Sequence, residues 1–238
     1  MISKIKNIIK VFYGKSEARL PDPSFLIQKD LIGANDNLVI FDIGAHEGYT
    51  VKIYKQLFPN ASIHAFEPVS KNYELLTANT AGFSSVKTVK KALLSETGSK
   101  RININQSSAT NSLLNSALTN SYIDALTNTL SNEWIESITI DQYCNDNNIN
   151  NIDILKMDIQ GSELSALRGA EKFLLNYTIS LIYTEVEFIK IYEDQPLYHD
   201  VAFYLENLNY KLFNLYNYNY LENGQLAWAD AIFLPKKK

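Results

Sequence analysis

The sequence predicts an α/β fold, a mostly parallel sheet with helices on both faces, and three observations carry that prediction. Apolar strand-like runs alternate with helical stretches along the 238 residues. The first clear run, Leu38 to Ile43, passes through a glycine turn into a helical stretch, Tyr49 to Phe58. Near the end, Asn223-Gly224 separates two closing segments and marks a hairpin, so the sheet is expected to finish antiparallel.

In order, strand one is Leu38 to Ile43 and strand two is Ser62 to Glu67; helical apolar spacing covers Lys71 to Ala81. Val86 to Leu94 is a third strand, with Ile102 to Ile104 extending it as a hairpin around Gly98. Residues 106–132 are rich in Ser, Thr and Asn. Leu113, Leu114, Leu118, Tyr122, Ile123, Leu126 and Leu130 recur there at roughly helical spacing, which predicts one or two short helices in a lid or substrate-shaping insertion. Ile138 to Ile140 is a short strand before a helix near Asp141 to Asn147. Ile152 to Asp158 is a strong strand, followed by Gly161 and a helix over Ser162 to Leu175. Ile179 to Glu185, a helix over Val201 to Leu208, and strands at Tyr210 to Tyr216 and Ala231 to Leu234 complete the chain.

The turn after strand one reads Asp42-Ile43-Gly44-Ala45-His46-Glu47-Gly48, and Glu67 closes the next strand. Two glycines let the backbone turn tightly under a ligand, and a carboxylate at the second strand end suits a ribose diol. Asp42 selects among nucleotide cofactors. A dinucleotide seats an anionic pyrophosphate at such a turn, where a carboxylate repels it. S-adenosylmethionine has a cationic sulfonium and ammonium and no phosphate, so Asp42 attracts it. His46 also stands where a dinucleotide motif wants its second glycine. A terminal antiparallel hairpin fits a methyltransferase sheet better than a dehydrogenase one.

A second constellation lies at Lys156-Met157-Asp158-Ile159-Gln160-Gly161, polar where a buried parallel strand should be apolar. Ligand crevices in open α/β sheets lie at the carboxyl ends of strands beside the switch point. Asp158 is therefore the expected general base or acceptor-orienting group, Lys156 its partner or an alkoxide stabiliser, and Glu185 a second carboxylate sharing that work. An internal ion pair with a helix cap is the plainer explanation of Lys156 and Asp158. No metal is expected, although Asp158, Glu163, Glu185 and Glu187 offer hard oxygen ligands for a divalent cation. His64 is read as a hydrogen-bonded structural residue and His199 as a lesser site candidate. The late aromatics Tyr192, Tyr198, Tyr216, Tyr218, Tyr220 and Trp228 suit either stacking on a sugar ring or an ordinary sheet edge.

Composition allows one substantial domain, with 46% hydrophobic and 20% charged residues. The division expected is an N-terminal helical extension over 1–35 and a catalytic domain over 36–238. A net charge of −4 and a pI near 5.5 argue against a broad nucleic-acid surface. Cys144 is the single cysteine, so no internal disulfide or cysteine metal cluster forms. No stretch has the length of a membrane span, and the expected location is the cytoplasm. Ile2, Ile5, Ile9 and Phe12 share one helical face, suited to packing on the same domain or on a second copy in a homo-oligomer. Lys236-Lys237-Lys238 reads as a solvated tail.

FDIGAHEGYT, HAFEPVSKNYELLTAN, VKKALLSETG, ITIDQYC, ILKMDIQGSELSALRGAEKFL, YEDQPLYHDV, LENLNYKLFNLY and ADAIFL, in that order, resemble the FkbM-type methyltransferases, a family of S-adenosylmethionine-dependent O-methyltransferases. The resemblance spans most of the chain from Leu38. It implies a class I methyltransferase (Rossmann-like) fold with a seven-stranded sheet, S-adenosylhomocysteine as coproduct, and a hydroxyl acceptor that is a carbohydrate or sugar-bearing metabolite. It places Asp42, Gly44, His46 and Gly48 in the cofactor loop, Glu67 at the ribose diol and Ala92 beside the adenine. His46 stands where the family often has Asn, and Gln160 replaces the glutamate usual in its Lys-x-Asp-x-Glu-Gly motif. Those two departures suggest a second reading, a non-catalytic cofactor-binding or interaction module. A nicotinamide dehydrogenase is a third, opposed by Asp42.

Overall fold

The computed structural model describes residues 22–33, 37–118 and 121–236. The face formed by Ile2, Ile5, Ile9 and Phe12, and Lys237-Lys238 of the tail, lie outside the described residues. In chain order the elements are α1 (Pro23–Ile32), β1 (Val39–Ile43), α2 (Tyr49–Leu57), β2 (Ser62–Phe66), α3 (Ser70–Thr80), β3 (Val86–Val89), β4 (Ala92–Leu93) and β5 (Gly98–Asn105). A 3-10 turn at Ser108–Thr110 follows, then α4 (Ser121–Thr127), β6 (Thr129–Ile138), α5 (Ile140–Asp146), β7 (Ile152–Met157), α6 (Glu163–Arg168), α7 (Glu171–Leu175), β8 (Ile179–Glu187), α8 (Tyr198–Asn207), β9 (Tyr210–Tyr220) and β10 (Leu226–Pro235).

Seven strands form the main sheet in the order β3-β2-β1-β7-β8-β10-β9. The first five run parallel, and β10 is antiparallel to both β8 and β9. Strand order reverses between β1 and β7, so the connections leave in opposite directions there and open a crevice at the carboxyl ends. All six β7 residues are buried, as a central strand covered on both faces requires. One apolar layer joins Phe41, Phe66, Leu155, Met157, Ile182 and Phe233; the other joins Ile40, Ile63, Ile154, Leu181, Ile232 and Tyr54. Helix α1 is started by Asp22, whose carboxylate accepts from Ser24 N at 2.8 Å, with Pro23 at the first helical position. It lays Phe25 edge-on to Tyr54 and Tyr183, on the second layer.

The alternation and the closing hairpin match the sequence expectation, and three local expectations need correction. Residues Ile102 to Ile104 do not extend the third strand. That strand stops at Val89, and β4, β5 and β6 form a separate three-stranded sheet in the order β4-β6-β5. Within 106–132 only Ser121–Thr127 is an α-helix, and from Thr129 the chain is a strand paired antiparallel with β5. Of the apolar positions that looked helical, Tyr122, Ile123 and Leu126 lie on that helix, Leu130 lies on the strand, and Leu113, Leu114 and Leu118 lie in the loop before them. The helix expected over Ser162 to Leu175 breaks at Gly169. A Cβ there would stand 2.1 Å from the Leu94 carbonyl oxygen, so the helix turns at the one residue that admits this approach.

Candidate active site

The loop after β1 is tied down by its backbone. Gly44 N and Ala45 N both donate to the Phe66 carbonyl, at 3.0 and 2.9 Å, which folds the loop over the end of β2. Gly44 has φ +77°, and a Cβ on it would lie 1.9 Å from the Asp158 carbonyl oxygen. Only glycine lets the β1 and β7 ends come this close. His46 also adopts positive φ (+48°); its backbone N–H donates to Glu67 Oε2 at 3.0 Å, and its Nε2 lies 2.9 Å from Ser108 Oγ. Burial holds the His46 imidazole below its ordinary pKa, which favours the neutral ring.

Glu67 accepts from Val69 N through its other oxygen, at 2.9 Å. Burial pushes this carboxyl up to about 7, against the backbone donors that favour its charge. The Asn72 side chain donates to it as well; a carboxylate oxygen can accept twice, so capacity for a hydroxyl is left on Glu67. Ala92 is half-buried in β4, on the small sheet opposite Ser137 of β6.

Under the loop, Asp42 and Lys156 face each other across adjacent strands, register partners 3.0 Å apart between Oδ1 and Nζ. Lys156 also donates to the Gly44 carbonyl at 3.2 Å. Burial disfavours the ammonium, but Asp42, Asp158 and Asp230 outweigh it and raise the Lys156 pKa; burial raises the Asp42 carboxyl too, and Lys156 beside it pulls the other way, toward the carboxylate. The ion pair that the sequence allowed for is therefore formed by Lys156 with Asp42. Apart from that pairing, the Asp42 carboxylate has no hydrogen-bond partner among the described residues. A buried anionic acceptor beneath a glycine loop fits a cationic, phosphate-free nucleotide cofactor and opposes a pyrophosphate.

The other half of the crevice is built from β7 and β8. Asp158 follows β7 and its side chain is exposed; its backbone N–H donates to the Ile43 carbonyl at 3.1 Å. Gln160, at φ +53°, donates from Nε2 to Asp158 Oδ1 and to Glu185 Oε2, both at 2.9 Å. The Tyr192 hydroxyl lies 3.0 Å from Gln160 Oε1 and 2.9 Å from the Thr110 carbonyl, which fixes the amide with its NH₂ toward the carboxylates. The structure thus joins Asp158 and Glu185 through a residue that sequence reasoning treated only as a departure from a motif. Burial raises Glu185 well above the usual carboxylate range, with Asp158, Glu187 and Asp230 adding to it, so its surroundings favour the neutral acid over the carboxylate.

Glu163 accepts from the N–H groups of Ile159 and Gly161, at 2.8 and 3.0 Å, and braces the acceptor loop. Among the described residues no group of three or more carboxylate, histidine or cysteine side chains is arranged to hold a metal. His64 is 2.8 Å from the Tyr143 hydroxyl, and burial and Lys87 lower it to about 4; it is a structural residue, as expected. His199 is exposed on α8, 3.6 Å from Asp200. The late aromatics do not gather: Tyr192 is fully buried, Tyr198 stacks on Phe188, and Tyr218 and Tyr220 are exposed on β9. Sequence reasoning does not single out Ser108 and reads Tyr192 only as one of the late aromatics; both come from segments distant in sequence. No local pattern announces them; the positive φ of Gln160 before a glycine is the nearest signal.

The chain is similar to the 2-O-methyltransferase NoeI of Sinorhizobium fredii, at 24% identity over 190 residues covering 76% of this chain and 74% of that protein. Among solved structures, a TehB-like SAM-dependent methyltransferase from Corynebacterium glutamicum aligns over 99% of this chain and 96% of its own, at 11% identity and a TM-score of 0.47. TrmK of M. capricolum, in complex with S-adenosyl-homocysteine, aligns over 92% and 70% at 12% identity and a TM-score of 0.49. A sequence model of the FkbM methyltransferase domain matches residues 42–212, from the buried aspartate of β1 to the start of the closing hairpin. That match takes in the glycine loop, the paired strand ends and the acceptor loop together: the chain belongs to the FkbM methyltransferase family and is an S-adenosylmethionine-dependent methyltransferase.

Proposed function

We propose that the protein transfers a methyl group to a hydroxyl of a carbohydrate or sugar-bearing metabolite, with Asp158 as general base. The observation that carries this reading is the exposed Asp158 carboxylate beside the glycine loop, held by the same amide that binds the half-buried Glu185. The similarity to a 2-O-methyltransferase supports the choice of oxygen as acceptor atom.

S-adenosylmethionine supplies an electrophilic methyl group on a sulfonium, and the remaining work falls to this chain. Asp42, Gly44, His46 and Gly48 would hold the methionine end, Glu67 the ribose diol and Ala92 the adenine edge. An alcohol attacks poorly while protonated; Asp158 would accept that proton as the new C–O bond forms and the methyl–sulfur bond breaks, with the neutral thioether S-adenosylhomocysteine as the leaving group. Gln160 fixes the direction of the Asp158 carboxylate, and Glu185, whose surroundings disfavour its charge, shares the same amide. Lys156 holds Asp42 and the Gly44 carbonyl in place, and its charge steadies the negative charge gathered at Asp158. The near-neutral surface balance, net −4, favours a small or neutral acceptor over a nucleic acid. Among the described residues no helix is long and apolar enough to cross a membrane.

The test is transfer of isotope-labelled methyl from S-adenosylmethionine to a panel of neutral mono- and oligosaccharides. Labelled sugar with the wild type is expected. Cofactor binding without transfer to any hydroxyl would favour the non-catalytic binding module.

A further inference from the structure

The small sheet β4-β6-β5 contributes nothing to the proton transfer argued above, yet its outward face carries a built polar cleft. Register sets Arg101 opposite Trp134 and Asn103 opposite Asn132, so these four side chains share one face of the β5–β6 pair. Trp134 is 72% exposed. Beside it lies a cleft of about 380 Å³ lined by Arg101, Asn103, Leu113, Asn115, Thr129 and Asn132.

The lining is pre-oriented. Asn132 Nδ2 donates to Asn103 Oδ1 at 2.7 Å, and Arg101 donates to Asn132 Oδ1. Asn103 Nδ2 donates to the Leu114 carbonyl at 2.9 Å, and Asn115 Nδ2 donates to Glu193 Oε2 at 3.1 Å. Asn103 Nδ2 spends its other N–H on Asn115 Oδ1 at 3.4 Å; most of the five guanidinium N–H groups of Arg101, and the second N–H of the Asn115 and Asn132 amides, remain for a ligand. Fixed amides and a guanidinium read hydroxyl groups, and a flat exposed indole beside them offers a face on which the C–H side of a sugar ring stacks. Arg101 is balanced by Glu136 on the same face and by Glu193, which opposes a polyanion.

The cleft is one segment away from the acceptor loop. Asn103 and Ser112 exchange backbone hydrogen bonds, N to O, at 2.8 and 3.3 Å. Ser112 Oγ donates to the Gln160 carbonyl at 2.7 Å, and Leu114 packs over Gly161 closely enough that a Cβ there would lie 3.0 Å from its Cδ1. We infer that the acceptor is a neutral oligosaccharide of several rings, whose outer rings lie on Trp134 and the Arg101–Asn103–Asn132 cleft while one hydroxyl reaches Asp158. The inference rests on the carbohydrate reading above and sharpens it from a sugar to an extended chain.

The experiment titrates the full chain with cellotetraose, chitotetraose and mannotetraose, each against its monosaccharide, by calorimetry and by tryptophan fluorescence. Wild type, Trp134→Ala and Asn132→Ala are compared, with S-adenosylmethionine affinity as the check on folding. At least one tetrasaccharide is expected to bind tenfold or more tightly than its monosaccharide, and to lose tenfold or more in both variants while cofactor affinity is kept. No tetrasaccharide preference, or binding unchanged in both variants, overturns the cleft. Methyl transfer to the same sugars separates the two claims. Transfer with an unaltered KM in both variants removes the cleft and leaves carbohydrate methylation standing; no transfer to any sugar overturns the reading on which the cleft rests.

Discussion

The two halves of the crevice are built by different means. On the β1–β2 side most contacts have a backbone group at one end: Gly44 and Ala45 N–H on the Phe66 carbonyl, His46 and Val69 N–H on the Glu67 carboxylate, Lys156 on the Gly44 carbonyl, with Asp42–Lys156 and His46–Ser108 the side-chain pairs. On the β7–β8 side the contacts run between side chains, from Asp158 through Gln160 to Glu185 and Tyr192. A cofactor common to many acceptors can be held by a rigid backbone cradle. A particular acceptor needs side chains, which can differ from chain to chain without disturbing the loop.

The contrast predicts that damage on the first side is paid in folding and damage on the second in turnover. The largest folding effect is expected from Lys156→Met, which leaves Asp42 buried and unpaired. A loss of about 3–5 kcal/mol is expected by urea denaturation, and stability within about 1 kcal/mol of wild type would mean the pair is not the keystone of this side. The double variant Asp42→Asn with Lys156→Met should recover part of that loss, since no lone charge stays buried.

Next comes a pH effect. Burial holds Glu67 and Glu163 up at about 7 and Asp230 at about 6, all above their unfolded values near 4 to 4.5. Between those limits the folded chain binds more protons than the unfolded one. The stability these groups contribute is therefore full below about pH 4, falls as pH rises through 6 to 7, and is lost above. Melting temperature should decline from pH 5 to pH 8, and Glu67→Gln should flatten that slope. A melting temperature that rises over this range would contradict the assignment.

The smallest expected effect is that of Tyr192→Phe. It removes one hydroxyl from Thr110 and Gln160 and should cost about 1 kcal/mol of stability. Freed to turn, the Gln160 amide should hold Asp158 less well, seen as a several-fold fall in kcat with S-adenosylmethionine affinity unchanged. A change in cofactor affinity instead would couple the two halves more tightly than their contacts suggest.

How far the sequence could be read follows the same division. The loop from Asp42 to Gly48 is local: an apolar run, two glycines and a helix announce it without help from the rest of the chain. Glu67 is almost as legible, since it ends the next strand. The partner of Lys156 was not legible. Asp42 meets it only through the β1–β7 register, a pairing that the apolar runs permit and do not specify. Strand β6 was hidden because Ser131, Asn132, Glu133 and Glu136 break up its strand-favouring residues, and it forms on the strength of β5 beside it. Gln160 was visible as a substitution, but its bridge depends on a positive φ and on Tyr192 arriving from beyond β8.

The most direct test of the account is the rate of methyl transfer by Asp158→Asn, at saturating S-adenosylmethionine, to an acceptor that the wild type methylates. Removal of a general base predicts a fall of about 10² to 10⁴ in kcat, with cofactor affinity within twofold of wild type. A variant that turns over at the wild-type rate would contradict the role of Asp158 and the division of the crevice built on it.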